Sequence, residues 1–403
     1  MNILIVSQHF YPDNFRINDI AKMLVDEGHR VTVITSLPDY ATGRVPDDCK
    51  GRKNRKIKWN GVDVIRCFSV ARRSGILFRA LNYASFCLSS TLKAKRLKGD
   101  YDIVICYQTS PVLMANAARA FARKRKIPFF LYCLDLWPES LKAWHVGEGN
   151  PLFKIMHKYS KGIYNSASCV GVTSKPFIEY LKTVNEVPEN KIIYIPQHSE
   201  DMNLSPKAHK DGEPYVFSFG GNIGSVQNID CIIEAASYLR DRNDIKIEIY
   251  GDGSELQSCK ALSEKLGTEK TVTFFGRVSK DELWKHYENT DAFLLTLKSD
   301  GVIGQTVPAK LQEYMSGARP VIAAVGGAAE QIINDSQCGI CVPAGDSEAL
   351  AKAIEDFVMN NEKCSDYGAN GRAFYKNNFT GRSFMDKLTG IFNSLIGSSE
   401  ENK

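Results

Sequence analysis

No run of about 18 uninterrupted apolar residues occurs in the sequence, so a membrane-spanning helix is not expected. The start lacks a basic leader and a cleavage pattern. Met1-Asn2-Ile3-Leu4-Ile5-Val6 is therefore expected to open a first strand, not a signal peptide. Disulfide and zinc patterns are also lacking. Cys106, Cys133, Cys169 and Cys231 lie inside apolar runs, which suits reduced thiols in the cytosol. Cys338-Gly-Ile-Cys341 has no second ligand pair near it and falls in a strand pattern, so packing is its expected role. No Asp-x-Asp metal motif is evident, and the chemistry is expected to need neither metal nor cofactor. No solenoid repeat is present. Acid is scarce in one stretch: residues 50–98 hold fourteen Lys or Arg and a single carboxylate, Asp63. The whole chain carries only +5, so the remainder is negative. Arg123-Lys124-Arg125-Lys126 adds to the same basic half. Such a patch suits a membrane surface, a polyphosphate lipid or nucleic acid. Interleaved aromatics that would favour nucleic acid are not apparent in residues 50–60, and no nucleic-acid partner is expected.

What is present reads as two α/β domains. The length of 403 residues exceeds one ordinary core and fits two. Strand patterns fall at Ile3–Val6, Val31–Thr35, Val62–Arg66, Ile103–Tyr107, Pro128–Leu131, Cys169–Thr173 and Ile192–Ile195. Helical patterns lie between them, such as Asn18–Glu27, stopped by Gly28, and Pro111–Lys124. Residues 199–213 are polar and broken by Pro and Gly, as a linker would be. The pattern then restarts with strands at Tyr215–Phe219, Ile245–Tyr250, Val272–Phe275, Ala292–Leu297, Pro320–Ala323 and Gly339–Val342. Helices are expected over Asp230–Arg240, Glu255–Leu266, Lys280–Asn289, Ala309–Ser316 and Glu348–Asn360. The expected domains are residues 1–200 and 214–380, with residues 381–403 a C-terminal helix and tail. Alternating βα units predict parallel sheets covered on both faces. Ligands bind beyond the carboxyl ends of such strands, and two such domains in tandem create a cleft.

Glycine turns mark those ends in the second half. Gly220-Gly221-Asn222-Ile223-Gly224-Ser225 follows a strand, so its backbone N–H groups could approach an oxyanion. A plain βα turn is the competing reading. Tyr250-Gly251-Asp252-Gly253 is a second such turn. The segment Gly301 to Ile322 contains Gln305-Thr306-Val307-Pro308-Ala309-Lys310-Leu311-Gln312-Glu313 and ends its helix near Gly317. Pro308 suits the first helical position and Gly317 the stop. A cation near a helix N-terminus is unfavourable unless an anion sits there, which makes Lys310 a phosphate-ligand candidate. Glu313, on the same face, is the acceptor-only group that a pair of ribose hydroxyls needs. The competing reading is a surface ion pair between the two.

Further motifs are Gln8-His9-Phe10-Tyr11-Pro12-Asp13-Asn14-Phe15-Arg16-Ile17-Asn18-Asp19, Gly28-His29-Arg30-Val31, and Asp135-Leu136-Trp137-Pro138-Glu139-Ser140. Taken together, and end to end, these motifs resemble the GT-B glycosyltransferases of family 4, in the bacterial capsule and O-antigen branch. The resemblance implies two facing Rossmann-like domains with a deep interdomain cleft. It implies that Glu313 binds the nucleotide ribose and that Gly276-Arg277-Val278 lines the base pocket. The family's E-x7-E pattern would begin at position 305, where this chain has Gln305; a neutral amide there points to an N-acetylated or deoxy sugar. The usual diphosphate-binding Arg and Lys would fall near Asn222 and Gln227, so Lys310 is the replacement charge. The donor-binding set is thus Gly221, Asn222, Gly224, Gly251, Arg277, Val278, Gln305, Thr306, Val307, Lys310 and Glu313.

The amino-terminal domain is expected to present the acceptor through Phe10, Tyr11, Arg16, Asn18, Tyr40 and Trp137, all on loops that follow strands. Asp135 and Glu139 are the candidates to accept or orient the hydroxyl proton, and Lys310 to stabilise the leaving diphosphate. The competing reading makes Asp135 a helix cap and Trp137 packing. His29 is expected to be structural. Leu77, Leu81, Ala84, Leu88 and Leu92 form one helical stripe flanked by Arg and Lys, which suits an anionic bilayer surface, an ordinary packed helix being the alternative. The expected reaction moves a sugar from a UDP-sugar to a polyprenyl-diphosphate-linked saccharide, at the inner face of the cell membrane, with retention implied by the resemblance. A sugar-nucleotide epimerase or phosphorylase of the same fold is the alternative enzyme, and a nucleic-acid-binding module the non-enzymatic one.

Overall fold

Runs of Ile, Val and Phe set the strands, and amphipathic runs set the helices between them. The structure, a computed structural model, describes residues 1–401 except 41, 52, 74, 145, 206, 300, 302 and 361–363. The first half runs β1 (Asn2–Val6), α1 (Arg16–Asp26), β2 (Arg30–Thr35), β3 (Lys56–Trp59), β4 (Val62–Arg66), α2 (Ile76–Arg96), β5 (Ile103–Gln108), α3 (Ala115–Arg125), β6 (Phe129–Cys133), α4 (Pro151–Ser166), β7 (Cys169–Val172), α5 (Pro176–Thr183) and β8 (Ile192–Tyr194). Its sheet has the order β3-β4-β2-β1-β5-β6-β7-β8. All neighbours are parallel except β3 and β4, whose register pairs Ile57 with Val64. The sequence reading missed β3. It is an edge strand, Lys-Ile-Lys-Trp, whose lysines point to water, as expected for an edge that must not recruit another chain.

The second half runs β9 (Tyr215–Gly220), α6 (Ile229–Tyr238), β10 (Ile245–Tyr250), α7 (Leu256–Leu266), β11 (Val272–Gly276), α8 (Lys280–Tyr287), β12 (Ala292–Thr296), α9 (Ala309–Ser316), β13 (Val321–Ala324), α10 (Ala328–Ser336), β14 (Gly339–Val342), α11 (Ser347–Met359), α12 (Ser365–Asn378) and α13 (Gly381–Glu401). The order β11-β10-β9-β12-β13-β14 is wholly parallel. Strand order reverses between β9 and β12, the place where a doubly wound sheet opens a crevice. In the first sheet the same reversal lies between β1 and β5.

The chain forms two compact units, Met1–Ile195 with Met385–Lys403, and Pro196–Phe384. The last helix therefore belongs to the first unit: Phe392 packs edge-on against Phe130 at 5.7 Å, and Thr389 hydrogen-bonds Glu27. Residues 199–213 are not a free linker. Met202 N–H donates to Ser316 Oγ (3.1 Å), Arg319 donates to Ser205 O (2.8 Å), and Lys207 pairs with Asp291 (2.8 Å), so this polar segment is strapped to the second unit. Two end signals also shift. Pro308 is the N-cap of α9 and not its first turn, and Gly317 is right-handed while Ala318 takes the left-handed position (φ 54°). A Cβ on Gly317 would meet Met202 Cε at 2.6 Å and Leu204 Cδ1 at 3.0 Å. Asp100-Tyr101-Asp102 does have Asp-x-Asp spacing, but it precedes β5 at the amino edge, where Asp102 accepts the Asn2 N–H at 2.7 Å. The eleven cysteines are free thiols, most of them buried, and burial pushes the Cys338 thiol up.

Candidate active site

At the carboxyl edge of the second sheet, β9 ends in Gly220 and the chain turns through Gly221 at φ 134°. The turn is locked to its neighbour. The N–H groups of Gly221 and Ile223 donate to the carbonyls of Tyr250 (2.8 Å) and Asp252 (2.9 Å). The loop is thus not a continuous anion cradle. Those of Asn222 and Gly224 have no acceptor among the described residues. Gly251 (φ 138°) lies so close to Gly221 O that any Cβ would collide with it.

Lys310, in the first turn of α9, lies across this loop. A Cβ on Gly221 would stand 2.7 Å from Lys310 Nζ and closer still to its Cε. The ammonium is 3.7 Å from the centre of the Phe219 ring and has no hydrogen-bond partner. Burial drives its pKa down from 10.5 to about 7, against the opposing pull of Glu313. An ammonium held out of water without a hydrogen bond is costly unless something anionic arrives. Glu313 does not form an ion pair with it. Its Oε1 accepts from Trp284 Nε1 at 3.1 Å, which fixes the carboxylate on the face of α9. The surface ion-pair reading of Lys310 and Glu313 therefore does not hold.

Gly221, Asn222, Gly251, Arg277 and Val278, with Tyr250, Asp252 and Leu283, wall a cavity of about 380 Å³. Gly251 N–H donates to Gly276 O (2.8 Å), which joins the two turns. Asn222 Nδ2 donates to Gln227 Oε1 at 3.0 Å, so the two neutral residues expected near the diphosphate hold each other. Gly224 lies beneath this pair: a Cβ would meet Asn222 Nδ2 at 2.7 Å. Gln305, Thr306 and Val307 are partly buried on the approach to α9 and are not among the cavity's walls. Gly221→Ala is expected to weaken nucleotide binding about tenfold or more, because it displaces one charge-assisted contact. Calorimetric titration with UDP that gave wild-type affinity would contradict this arrangement.

The first sheet's carboxyl edge sorts the acceptor-side residues. Asp135 follows β6; its Oδ2 accepts the Ser110 N–H at 2.7 Å, and burial holds its carboxyl above the usual range. It ties two strand ends together and does not cap a helix. Glu139 is corrected. One oxygen accepts from Tyr180 Oη (3.0 Å) and the other pairs with Lys142 (2.7 Å), so it is a buried anchor with both oxygens engaged. Trp137 is also corrected: it is buried in the core, with Nε1 donating to Ser110 Oγ at 3.0 Å. Phe10 is core too, edge-on to Trp59 at 5.4 Å. Asn18 is buried and donates to Asp13 O (2.8 Å), shaping the loop after β1. Tyr11 and Tyr40 are exposed and Arg16 is partly so, which leaves these three able to touch a ligand.

The sequence did not reveal a chain of buried polar groups at this edge. Gln8 donates to Asn82 Oδ1 (2.7 Å), and Asn82 donates to Asp39 Oδ2 (3.1 Å). Desolvation raises the Asp39 carboxyl to about 6 and, with Arg72, lowers His9 to about 3. Gln8 Oε1, His9 Nδ1, Asp39 Oδ1, Gln108 Oε1 and Thr109 Oγ1 are buried without partners. Orphaned groups of this kind cost about 1–3 kcal/mol each unless a ligand or water satisfies them. They cluster where β1, β2 and β5 end, around the reversal of strand order. That rule of the fold marks the ends of β1 and β5, but nothing in the sequence marks Asn82.

Comparison with known proteins assigns the chain. Residues 14–198 match the glycosyl transferase 4-like domain and residues 201–374 match glycosyl transferases group 1. Among relatives, the chain is 24% identical to the probable glycosyltransferase WbjE of Pseudomonas aeruginosa, over 83% of this chain and 85% of that one. It is 22% identical to O-antigen chain mannosyltransferase C of Escherichia coli, over 99% and 100%. Among solved structures it shares the fold of Anabaena Alr3699/HepE, in complex with UDP, at a TM-score of 0.73 and 16% identity, covering 98% and 100% of the two chains. With two Rossmann-like units, a glycine-walled cavity beyond the carboxyl ends of β9, β10 and β11, and both halves matched, the chain belongs to family 4 of the GT-B glycosyltransferases.

Proposed function

We propose that this glycosyltransferase moves an N-acetylated or deoxy sugar from a UDP-sugar to a hydroxyl of a polyprenyl-diphosphate-linked saccharide during assembly of a capsule or O-antigen polysaccharide. The observation that carries the reading is Lys310: a buried ammonium without a hydrogen bond, lying across a glycine that must be glycine, at the carboxyl edge where α/β sheets bind ligands. The donor's diphosphate would supply the missing partner. Relatives named for O-antigen and colanic acid synthesis support the product class, and a solved relative holding UDP supports the nucleotide. Gln305, an amide in place of a carboxylate, favours the sugar class.

In the reaction the acceptor hydroxyl attacks the anomeric carbon, the glycosyl–phosphate bond breaks, and the nucleoside diphosphate departs with the electron pair. Lys310, the amino end of α9 and the Asn222 and Gly224 N–H groups would stabilise the charge that grows on the leaving phosphate. This field supplies the electrostatic work without a metal ion. Asp135, raised by burial, would take or orient the hydroxyl proton. Retention of configuration, supported by the resemblance to the family, is part of this reading and requires the hydroxyl to approach on the face from which the diphosphate departs.

Peripheral association with the inner face of the cell membrane is part of the same reading. The Leu77, Leu81, Leu88 and Leu92 stripe of α2 is exposed, Leu77 by 69% and Leu88 by 67%, while Asn82, Tyr83, Phe86, Ser90 and Ala94 form the packed face. Among the described residues no helix is long and apolar enough to cross a membrane. Basic side chains flank the exposed stripe, the pattern of a helix lying in an anionic interface.

Glu313→Ala tests the nucleotide assignment. Loss of the ribose acceptor is expected to raise the donor KM about tenfold, with a smaller effect on kcat. Radiolabelled transfer assays across UDP-sugars would check it, and donor kinetics equal to wild type would remove Glu313 from the site. An enzyme that altered the sugar nucleotide without acceptor would overturn the transferase reading in favour of an epimerase.

A further inference from the structure

A groove of about 820 Å³ lies in the first unit between the β3–β4 edge and the second half of α2. Arg55 and Lys56 wall one side, Lys93 and Arg96 the other, and Arg66 stands at the end of β4. No carboxylate lines the groove, and none of these five cations has an ion-pair partner among the described residues. Arg66 is 6% exposed. Its terminal nitrogens donate to Asn54 O (3.4 Å) and Tyr11 O (3.2 Å), while Nε has no partner. Burial pushes the Cys67 thiol up to about 11, and Lys93 and Arg55, which line the groove with it, oppose that rise. Like charges brought together in a recess repel unless an anion joins them. The groove also has an apolar side. Phe68 is 56% and Leu92 54% exposed, and Leu92 continues the exposed leucine stripe of α2.

We propose that this groove holds the diphosphate of the lipid-linked acceptor, with the first isoprenoid units along Phe68 and Leu92. The proposal rests on the lipid-linked acceptor reading above and gives that acceptor's headgroup a place in the first unit, on elements other than those carrying Asp135. Guanidinium groups match phosphate oxygens bidentately, and ammonium groups add compact charge. A nucleotide fits the groove less well, because no carboxylate is present to take ribose hydroxyls. A lipid headgroup is favoured over free diphosphate by the exposed Phe68 and Leu92, which a free ion would not use.

The test titrates the full chain with geranylgeranyl diphosphate, geranylgeraniol, inorganic diphosphate and UDP. Geranylgeranyl diphosphate should bind more tightly than either geranylgeraniol or inorganic diphosphate. The double variant Lys93→Ala/Arg96→Ala should lose about tenfold or more of that affinity through two charge-assisted contacts, and keep wild-type UDP affinity. Lys95→Ala/Arg123→Ala, which alters a separate basic recess with Asn116 and Arg119, should change it less than about twofold, as exposed charges do. Equal losses in both variants would mean a diffuse basic field and overturn the groove. So would inorganic diphosphate or geranylgeraniol binding as tightly as the lipid diphosphate, or no loss in the first variant. A wild-type chain that bound UDP but no prenyl diphosphate would sink this proposal alone; one that bound prenyl diphosphate but no UDP would sink the donor reading and leave the groove standing.

Discussion

Lys310→Met should give a folded protein that is more heat-stable than wild type without ligand, yet turns over about 10²–10³-fold more slowly with saturating donor. The two effects have one cause. The Lys310 ammonium is stripped of water and given no hydrogen bond, so its folded-state pKa falls to about 7 while the unfolded chain keeps the ordinary value. The unfolded state then binds the proton more readily. Stability is lost as pH drops from about 10.4 toward 7, and stays at its lower level below that. Methionine takes up no proton, so its advantage in Tm should grow as pH falls through the same interval. Donor binding has the opposite sign. A diphosphate raises the lysine pKa and draws in a proton. Wild-type affinity for a UDP-sugar should therefore be greatest below pH 7 and weaken by up to about tenfold per pH unit above it, a slope the variant lacks. Differential scanning fluorimetry over pH, with and without donor, reads both. A variant less stable than wild type in the absence of ligand would mean that Lys310 has a protein partner, and the phosphate role would go with it.

Lys310 stood out in the sequence because its position contradicts a local rule, a cation in the first turn of a helix after a glycine-rich approach, and the structure places it across the Gly221 turn. The parallel sheets were legible because β-branched runs alternate with helical periods, and parallel strands place the loops that follow them on one edge. The parts that failed were those decided by what lies across the sheet. Phe10 and Trp137 follow strands as contact residues would, but their bulk fills the core under Trp59 and beside Ser110. Glu139 lies four residues from Asp135, and only the fold brings Tyr180 and Lys142 to it. The glycine loop looked like an anion cradle, yet alternate N–H groups are spent on the neighbouring strand's turn, a debt visible only once β9 and β10 are paired. The leucine stripe of α2 was readable as a stripe. Which face it turned was not, because Asn82, Tyr83 and Ser90 are no more hydrophobic than the leucines they displace from the packed face. Asn82 is buried there to bridge Gln8 and Asp39.

Asp135→Asn should lower kcat by about 10²–10⁴-fold and leave donor affinity unchanged, the signature of a lost proton acceptor. The geometry supports a chemical role. Ser110 N–H holds one oxygen at 2.7 Å, which fixes the carboxylate at the carboxyl edge of the sheet beside the orphaned Gln108 and Thr109 groups. Burial raises the carboxyl above the ordinary range, so the acid limb of the wild-type kcat profile should lie higher than a water-exposed aspartate would give: activity falls as pH drops through that raised value, when the base becomes protonated. The asparagine variant keeps the Ser110 contact but has no proton to gain, and its profile should lose this limb. Glu139→Gln provides the contrast. Its carboxylate serves Tyr180 and Lys142, so its loss should lower Tm by several degrees, while the folded fraction retains most of its turnover. If Glu139→Gln abolished turnover in a protein of wild-type stability, and Asp135→Asn did not, the proton would have to leave through Glu139. The paired oxygens seen here would then have to separate when acceptor binds.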